Sequence, residues 1–138
     1  MEQIISIRKA IAKIRFLPLS KGQAQTLSAL CKGEEGEFFR KKIAEIHEIW
    51  RGMPCTYETD GEGLNAVAYL HYTLNAWDWY ITERDADPDG LGQQQAFGLV
   101  CGFERELGYI SLEEITAAGA ELDLNWDPKP LREIPAKF

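Results

Sequence analysis

Three stretches between Ala66 and Leu112, AVAYLHYT, AWDWYITE and QQAFGLVCG, are strand-like runs in which apolar residues recur at every second position. Successive strand side chains point to opposite faces of a sheet, so the runs can be given faces. Ala68, Leu70 and Tyr72 fall on one face of the first run, Trp77, Trp79 and Ile81 on one face of the second, and Phe97, Leu99 and Cys101 on one face of the third. A tight loop at Leu74-Asn75 predicts a hairpin with Tyr72 opposite Trp77 and Leu70 opposite Trp79, which gathers the large apolar residues on a single core side. The same register sets His71 against Asp78 and Tyr69 against Tyr80 on the other side. That second side, with Thr82, Ala96 and Gly98, is expected to be a semi-polar groove.

Before this stretch the period changes from two to about 3.6. Ile4, Ile7, Ile11 and Ile14 recur at helical spacing among Arg8, Lys9, Lys13 and Arg15, and Pro18 ends the pattern. The isoleucine stripe is expected to pack on the sheet. Ser20 is placed as the N-cap of a second helix that closes at Gly33. A third helix spans about 34–50, with three glutamates in its first turn and Phe39, Ile43, Ile46 and Trp50 on one face. His47 lies beside that face as a boundary histidine, without a second ligand one turn away. Gly52 to Gly63 is rich in turn residues and reads as the linker between the helical and the alternating parts.

After the third strand, Ser111 with Glu114 three residues on forms a capping box, and Gly119 closes a short helix. Leu122, Leu124 and Trp126 then alternate as a last edge strand would, before Pro128, Pro130 and Pro135 exclude regular structure. The predicted fold is α+β: one domain over residues 1–138, an antiparallel sheet of three to five strands with N-terminal helices packed on one face and a short capped helix near the C-terminus. Residues 1–51 form its helical part, and 64–138 its sheet part with a Pro-rich tail.

Charge divides along the same line. The chain of 138 residues carries a net charge of −7. Residues 1–51 hold ten Lys and Arg against six Asp and Glu, a balance of +4, whereas residues 52–138 hold five against sixteen, a balance of −11. An acidic sheet part disfavours a phosphate backbone as its partner, so nucleic acid is admitted only at the basic N-terminal helices. The three cysteines, Cys31, Cys55 and Cys101, are scattered and odd in number, which predicts reduced thiols rather than a disulfide framework or a zinc site. No apolar run is long enough to span a membrane and no signal-peptide block opens the chain, so a cytoplasmic protein with no membrane partner is expected.

Candidate chemistry is sparse. Asp85, Asp87 and Asp89, with Gly90, have the spacing that opens a calcium loop, but the twelfth position, which should supply a bidentate Glu, is Ala96. The expectation is a solvent-exposed turn with no need of calcium. His71, Asp78 and Tyr80 are the candidates for acid-base work, yet no nucleophile stands in a matching context, so no catalytic residue is assigned. Glu83, Glu104 and Glu106 are candidate paired carboxylates without a defined separation. There is no phosphate loop, dinucleotide fingerprint or zinc-protease signature, and no cofactor is expected. As a binding surface the sequence offers Tyr69, Tyr80, Glu83, Glu104, Glu106 and Tyr109.

The segments YTLNAWDWYITERD, AFGLVCGFERELGYISLEEI and LNWDPKPLREI, in that order, resemble the domain of unknown function 2958 family over about residues 72–134. Trp77, Trp79, Tyr80, Glu83, Gly98, Glu104, Glu106, Gly108 and Tyr109 carry the pattern. Asp78 stands where the family usually has Thr, and Arg105 where it often has Pro. The resemblance implies no established activity. It implies a small bacterial protein borne on plasmids and other mobile elements, near genes for DNA maintenance and for evading host defences. The expected function is therefore a non-enzymatic, protein-binding accessory of a mobile element that counters a host defence system through an acidic surface. A small hydrolase using His71 or the glutamates, and a DNA-associated module using the basic helices, are the alternatives.

Overall fold

The structure, a computed structural model, describes residues 3–85 and 95–135. Three helices come first: α1 (Ile7–Phe16), α2 (Lys21–Lys32) and α3 (Gly36–Gly52). Ser6 and Ser20 cap the first two by accepting from the backbone N–H groups of Lys9 and Gln23, at 3.2 and 3.1 Å. Pro18 follows the end of α1, where its ring cannot continue the helix, and Gly33 follows the end of α2 in an extended conformation. The isoleucine stripe of α1 does not reach the sheet. Ala10 and Ile14 are buried with Leu27, Cys31 and Ile43 in a core of the helices' own, while Ile4 and Ile7 are exposed. The helix most responsible for covering the sheet is α3, whose Ile46 and Trp50, together with Leu17 and Met53, join the main core.

Among the described residues seven strands follow in chain order: β1 (Val67–Ala68), β2 (Leu70–Leu74), β3 (Trp77–Glu83), β4 (Gln95–Cys101), β5 (Arg105–Ser111), β6 (Glu121–Leu122) and β7 (Lys129–Pro130). Five make one antiparallel sheet in the order β5-β4-β3-β2-β6, and β1 pairs with β7 in a short ribbon. The Pro-rich tail thus contributes a strand where none was expected, since Pro130 can sit at an edge without donating. Leu122 pairs with Tyr72, but the last strand stops there, and Leu124 and Trp126 lie beyond it.

The β2–β3 hairpin turns at Asn75-Ala76 rather than Leu74-Asn75, with Asn75 in the left-handed region at φ 55°. Asn tolerates that conformation. Tyr72 therefore faces Trp79 and His71 faces Tyr80, a two-residue offset that preserves every face assignment in the hairpin. The third strand does not keep its predicted phase. Tyr80 lies opposite Leu99 and Asp78 opposite Cys101, so Phe97, Leu99 and Cys101 share a face with the predicted groove residues. Ala96, Gly98 and Val100 face the helices instead. The expected groove is consequently a second core, in which Tyr80, Leu99 and Cys101 are buried with Ala68, Leu131 and Ile134 and flanked by Trp126.

Two irregularities aim the chain. Between β1 and β2 the Tyr69 N–H donates to Ile81 O at 2.8 Å while Leu70 already pairs with Ile81, and Ala68 turns to the second core. In β3 the register shifts between Ile81 and Glu83, a bulge at Thr82 that brings Glu83 opposite Phe97. Gly98 is required beside it, because a Cβ there would lie 1.9 Å from the Tyr80 carbonyl oxygen.

Ser111 caps the last helix as predicted: its Oγ accepts from Glu114 N–H at 3.1 Å, and α4 (Leu112–Ala117) ends before Gly119 at φ 107°. It carries the chain from the β5 edge to β6 at the opposite edge, burying Leu112 and Ala120 in the main core. The segment 52–63, expected as a linker, is packed against the end of β3. Met53 is buried, Thr56 N–H donates to Arg84 O at 2.8 Å, and Arg84 N–H donates to Pro54 O at 2.9 Å.

Candidate functional site

The bulge at Thr82 presents Glu83 to the segment 55–59, and the carboxylate organises it. Glu83 Oε1 accepts from Tyr57 N–H at 2.9 Å, and Oε2 accepts from Thr59 N–H at 2.7 Å and from the Thr59 hydroxyl. The side chain is 3% exposed, and Tyr57 is held at φ 77°, unusual for a residue with a side chain. Over Glu83 opens a hollow of about 280 Å³ between the segment 57–66 and the sheet face of Phe97, Leu107 and Tyr109. Asp60 stands on its rim. The neighbouring Tyr57 phenol first, then burial, then the charges of Glu83 and Asp60, hold the Tyr109 phenol above its ordinary pKa.

A second hollow, of about 330 Å³, lies on the other side of β5 and is lined by Trp77, Val100, Phe103, Glu104, Glu106 and Gly108. Phe103, in the turn between β4 and β5, is 92% exposed and meets only the edge of Trp77 among the rings, at 5.4 Å. Trp77 in turn stacks on Trp79 and covers Gly102, where a Cβ would lie 2.1 Å from the indole. Leu107 and Tyr109 line both hollows, so they adjoin over an edge strand that pairs with β4 alone among the described residues. Neither lining contains a Lys, Arg or His. Three arginines of the sheet part have partners of their own: Arg105 the Ile134 carbonyl at 3.4 Å, Arg132 Asn65 at 3.2 Å, and Arg84 the Trp50 ring.

Of the six binding candidates, the fold brings Glu83 and Tyr109 into the first hollow and Glu104, Glu106 and Tyr109 into the second. Tyr69 packs against the main core and Tyr80 is buried in the second one, so neither belongs to this surface. The sequence pattern missed Tyr57, Asp60 and Phe103. A non-glycine residue in a turn-rich segment was the available signal for the first, and an aromatic residue set between Gly and Glu in a tight turn for the last.

His71, Asp78 and Tyr80 do converge, with a fourth member. His71 Nε2 meets Asp78 Oδ1 at 2.6 Å across the strand pair, Nδ1 meets Asp123 Oδ2 at 3.0 Å, and the ring stacks on Tyr80 at 4.5 Å between centroids. Trp126 tilts against both rings. With each ring nitrogen held by a carboxylate, the imidazole has none left to take a proton from a substrate. Burial first, and then the Asp78 charge, pushes the Tyr80 phenol up to about 12. Glu83 cannot form a catalytic pair with Glu104 or Glu106, because they line hollows on opposite sides of β5 and both Glu83 oxygens already accept.

Asp85 accepts from Gln95 N–H at 3.2 Å; Asp87 and Asp89 lie outside the described residues. Ala96, at the twelfth calcium-loop position, is buried in β4 facing the helices. Among the described residues there is no group of three or more Asp, Glu, His or Cys placed to hold a metal ion, and no helix long and apolar enough to cross a membrane. His47 is half-buried within α3, its Nδ1 3.2 Å from Lys13 Nζ, and its pKa is lowered first by burial and then by the Lys13 charge. In comparisons with known proteins the chain matches no family model, no curated protein and no solved structure.

Proposed function

We propose that the chain acts by stoichiometric binding to a protein partner that presents a basic surface, with the two sides of β5 as its contact. The observation that carries this reading is the juxtaposition of exposed Asp60, Glu104 and Glu106 with exposed Phe103, Tyr57 and Tyr109 along β5, whose outer edge has no partner strand among the described residues, with no basic side chain in either hollow. Aromatic anchors ringed by carboxylates supply contact area and charge complementarity, and the charge speeds encounter with a basic partner. An edge strand adds main-chain donors and acceptors. The resemblance to a family of mobile-element proteins supports placing the partner among host defence proteins, whose nucleic-acid grooves are basic. The hydrolase reading has no comparable support, since His71 is engaged at both nitrogens.

The test is capture from a bacterial lysate by the intact protein and by Phe103→Ala and Glu104→Lys/Glu106→Lys variants, followed by phage plating on cells carrying active restriction or CRISPR systems. All three substituted positions are exposed, so the variants are expected to fold. Capture lost in both variants, with raised plating for the intact protein alone, is the expected outcome. Unchanged plating across several defence systems overturns the defence reading, and capture equal in all variants overturns the contact surface.

A further inference from the structure

We infer that the hollow over Glu83 is a binding site for a single organic cation, the guanidinium or alkylammonium end of a side chain, held between the Tyr57 and Tyr109 rings with Asp60 at the mouth. The inference rests on the proposed binding function for its biological source, a Lys or Arg of the partner, but the site is defined by its own chemistry. Its walls carry two carboxylates, three aromatic rings (Tyr57, Phe97 and Tyr109) and no positive group. An anion entering it would meet Glu83 and Asp60 without compensation, and a neutral ligand would leave their field unanswered. A cation gains from both carboxylates, and the ring faces add to it at such close quarters. The volume of about 280 Å³ suits the end of one side chain rather than a folded element.

The distribution of hydrogen bonds separates an organic cation from a metal ion. Both Glu83 oxygens already accept from the segment 57–59, so they are not available as the several oxygen ligands a hard cation demands. They still project negative charge into the hollow, because the donors that hold Glu83 are neutral backbone and hydroxyl groups. Phe97 supports the wall by meeting Tyr109 edge-on at 5.4 Å between centroids. Tyr57 and Tyr109 are 70% and 54% exposed, so their rings are open to an incoming group.

The site is tested by amide-resolved NMR titration of the intact protein with ethylguanidinium, n-butylammonium and neutral n-butanol as probes. Saturable shifts confined to the amides of 57–63, Glu83 and Tyr109, from one or both cations but not from butanol, are the expected result, and the relative response to the two cations assigns the partner side chain as Arg or Lys. Tyr109→Ala and Asp60→Asn, both at exposed positions, should each weaken binding about threefold to fivefold, the size of an exposed cation–π or ion contact. Absence of saturable shifts, an equal response to butanol, or an affinity unchanged from the intact protein in both variants overturns the site. The two readings fail separately. Partner capture that survives Tyr109→Ala and Asp60→Asn but is lost in Glu104→Lys/Glu106→Lys overturns the cation's role in binding the partner and leaves the partner surface standing; cation binding without any captured partner does the reverse.

Discussion

His71 shows how far a residue's surroundings can reverse its reading. From the sequence it is a residue of a semi-polar groove and a candidate for acid-base work; in the structure its side chain is 13% exposed and clamped between Asp78 and Asp123. Asp78, at 4%, depends on that clamp for a short hydrogen bond. His71→Ala is therefore expected to cost about 2–3 kcal/mol in urea unfolding, within the range for removing one partner of a buried polar pair. A cost below about 1 kcal/mol would mean that Asp78 is held by its other neighbours. Tyr80, stacked on the same ring, gives a pH-dependent readout. Burial chiefly, and Asp78 next, raise its folded pKa from 10.0 to about 12, and burial also raises that of Tyr72. An acid whose folded pKa lies above its unfolded value contributes stability that is complete below pH 10 and is lost as pH climbs through the window to about 12, because the unfolded chain sheds the proton first. The urea midpoint should fall across that window, and Tyr80→Phe should make the fall shallower. Asp123 was beyond sequence reasoning for a plain reason: it reaches His71 from 52 residues away, and no local period reports such a pair.

At the scale of elements, alternation was informative where one face of a strand is polar and failed where both are apolar. The β2–β3 hairpin kept its faces through a two-residue offset because His71, Thr73 and Asp78 mark the polar side against Leu70, Tyr72 and Trp79. In β4, Phe97, Leu99 and Cys101 alternate with Ala96, Gly98 and Val100, so neither set marks the outside, and the strand is buried on both faces. The bulge at Thr82 was equally silent, yet it decides the site by turning Glu83 toward the segment 55–59. The helix starts, written in Ser20 and Ser111, were legible because capping is a local hydrogen bond. Two substitutions test the aiming device. Glu83→Gln sets an amide among three donors, and a buried N–H facing another donor costs about 2 kcal/mol; hydrogen exchange in 54–63 should quicken while that of β4 and β5 stays slow. Gly98→Ala forces a methyl group against the Tyr80 carbonyl and should cost about 3 kcal/mol, the upper range of overpacking, measured as a lowered urea midpoint.

At the scale of the molecule, the basic helical part and the acidic sheet part differ in composition but are joined by polar as well as apolar contacts. Ile46, Trp50 and Met53 lie in one core with Leu70, Tyr72 and Ile81, and the buried Tyr72 hydroxyl donates to Pro18 O at 2.6 Å. Gln23 of α2 makes the most specific connection: its Nε2 donates to Leu122 O and its Oε1 accepts from Leu122 N–H, each at 2.8 Å. The side-chain amide thereby satisfies the backbone of β6 as a neighbouring strand would, and does so inside the protein where water is excluded. Replacing Gln23 with Leu leaves a buried N–H and a buried C=O without these partners, at about 1–3 kcal/mol for each orphaned group, so a total loss of about 3 kcal/mol is expected. Because the connections run from α2, α3 and the Pro18 turn into the sheet, helix and sheet should unfold together. Circular dichroism at the helix band and tryptophan fluorescence, to which the sheet part contributes three of the four indoles (Trp77, Trp79 and Trp126), should give coincident urea transitions in the intact protein, and Gln23→Leu should move both midpoints down by the same amount. Transitions that separate in the intact protein would show instead that the helices and the sheet are independent units, each stable on its own core; separation in Gln23→Leu alone would make this one amide pair the coupling between them.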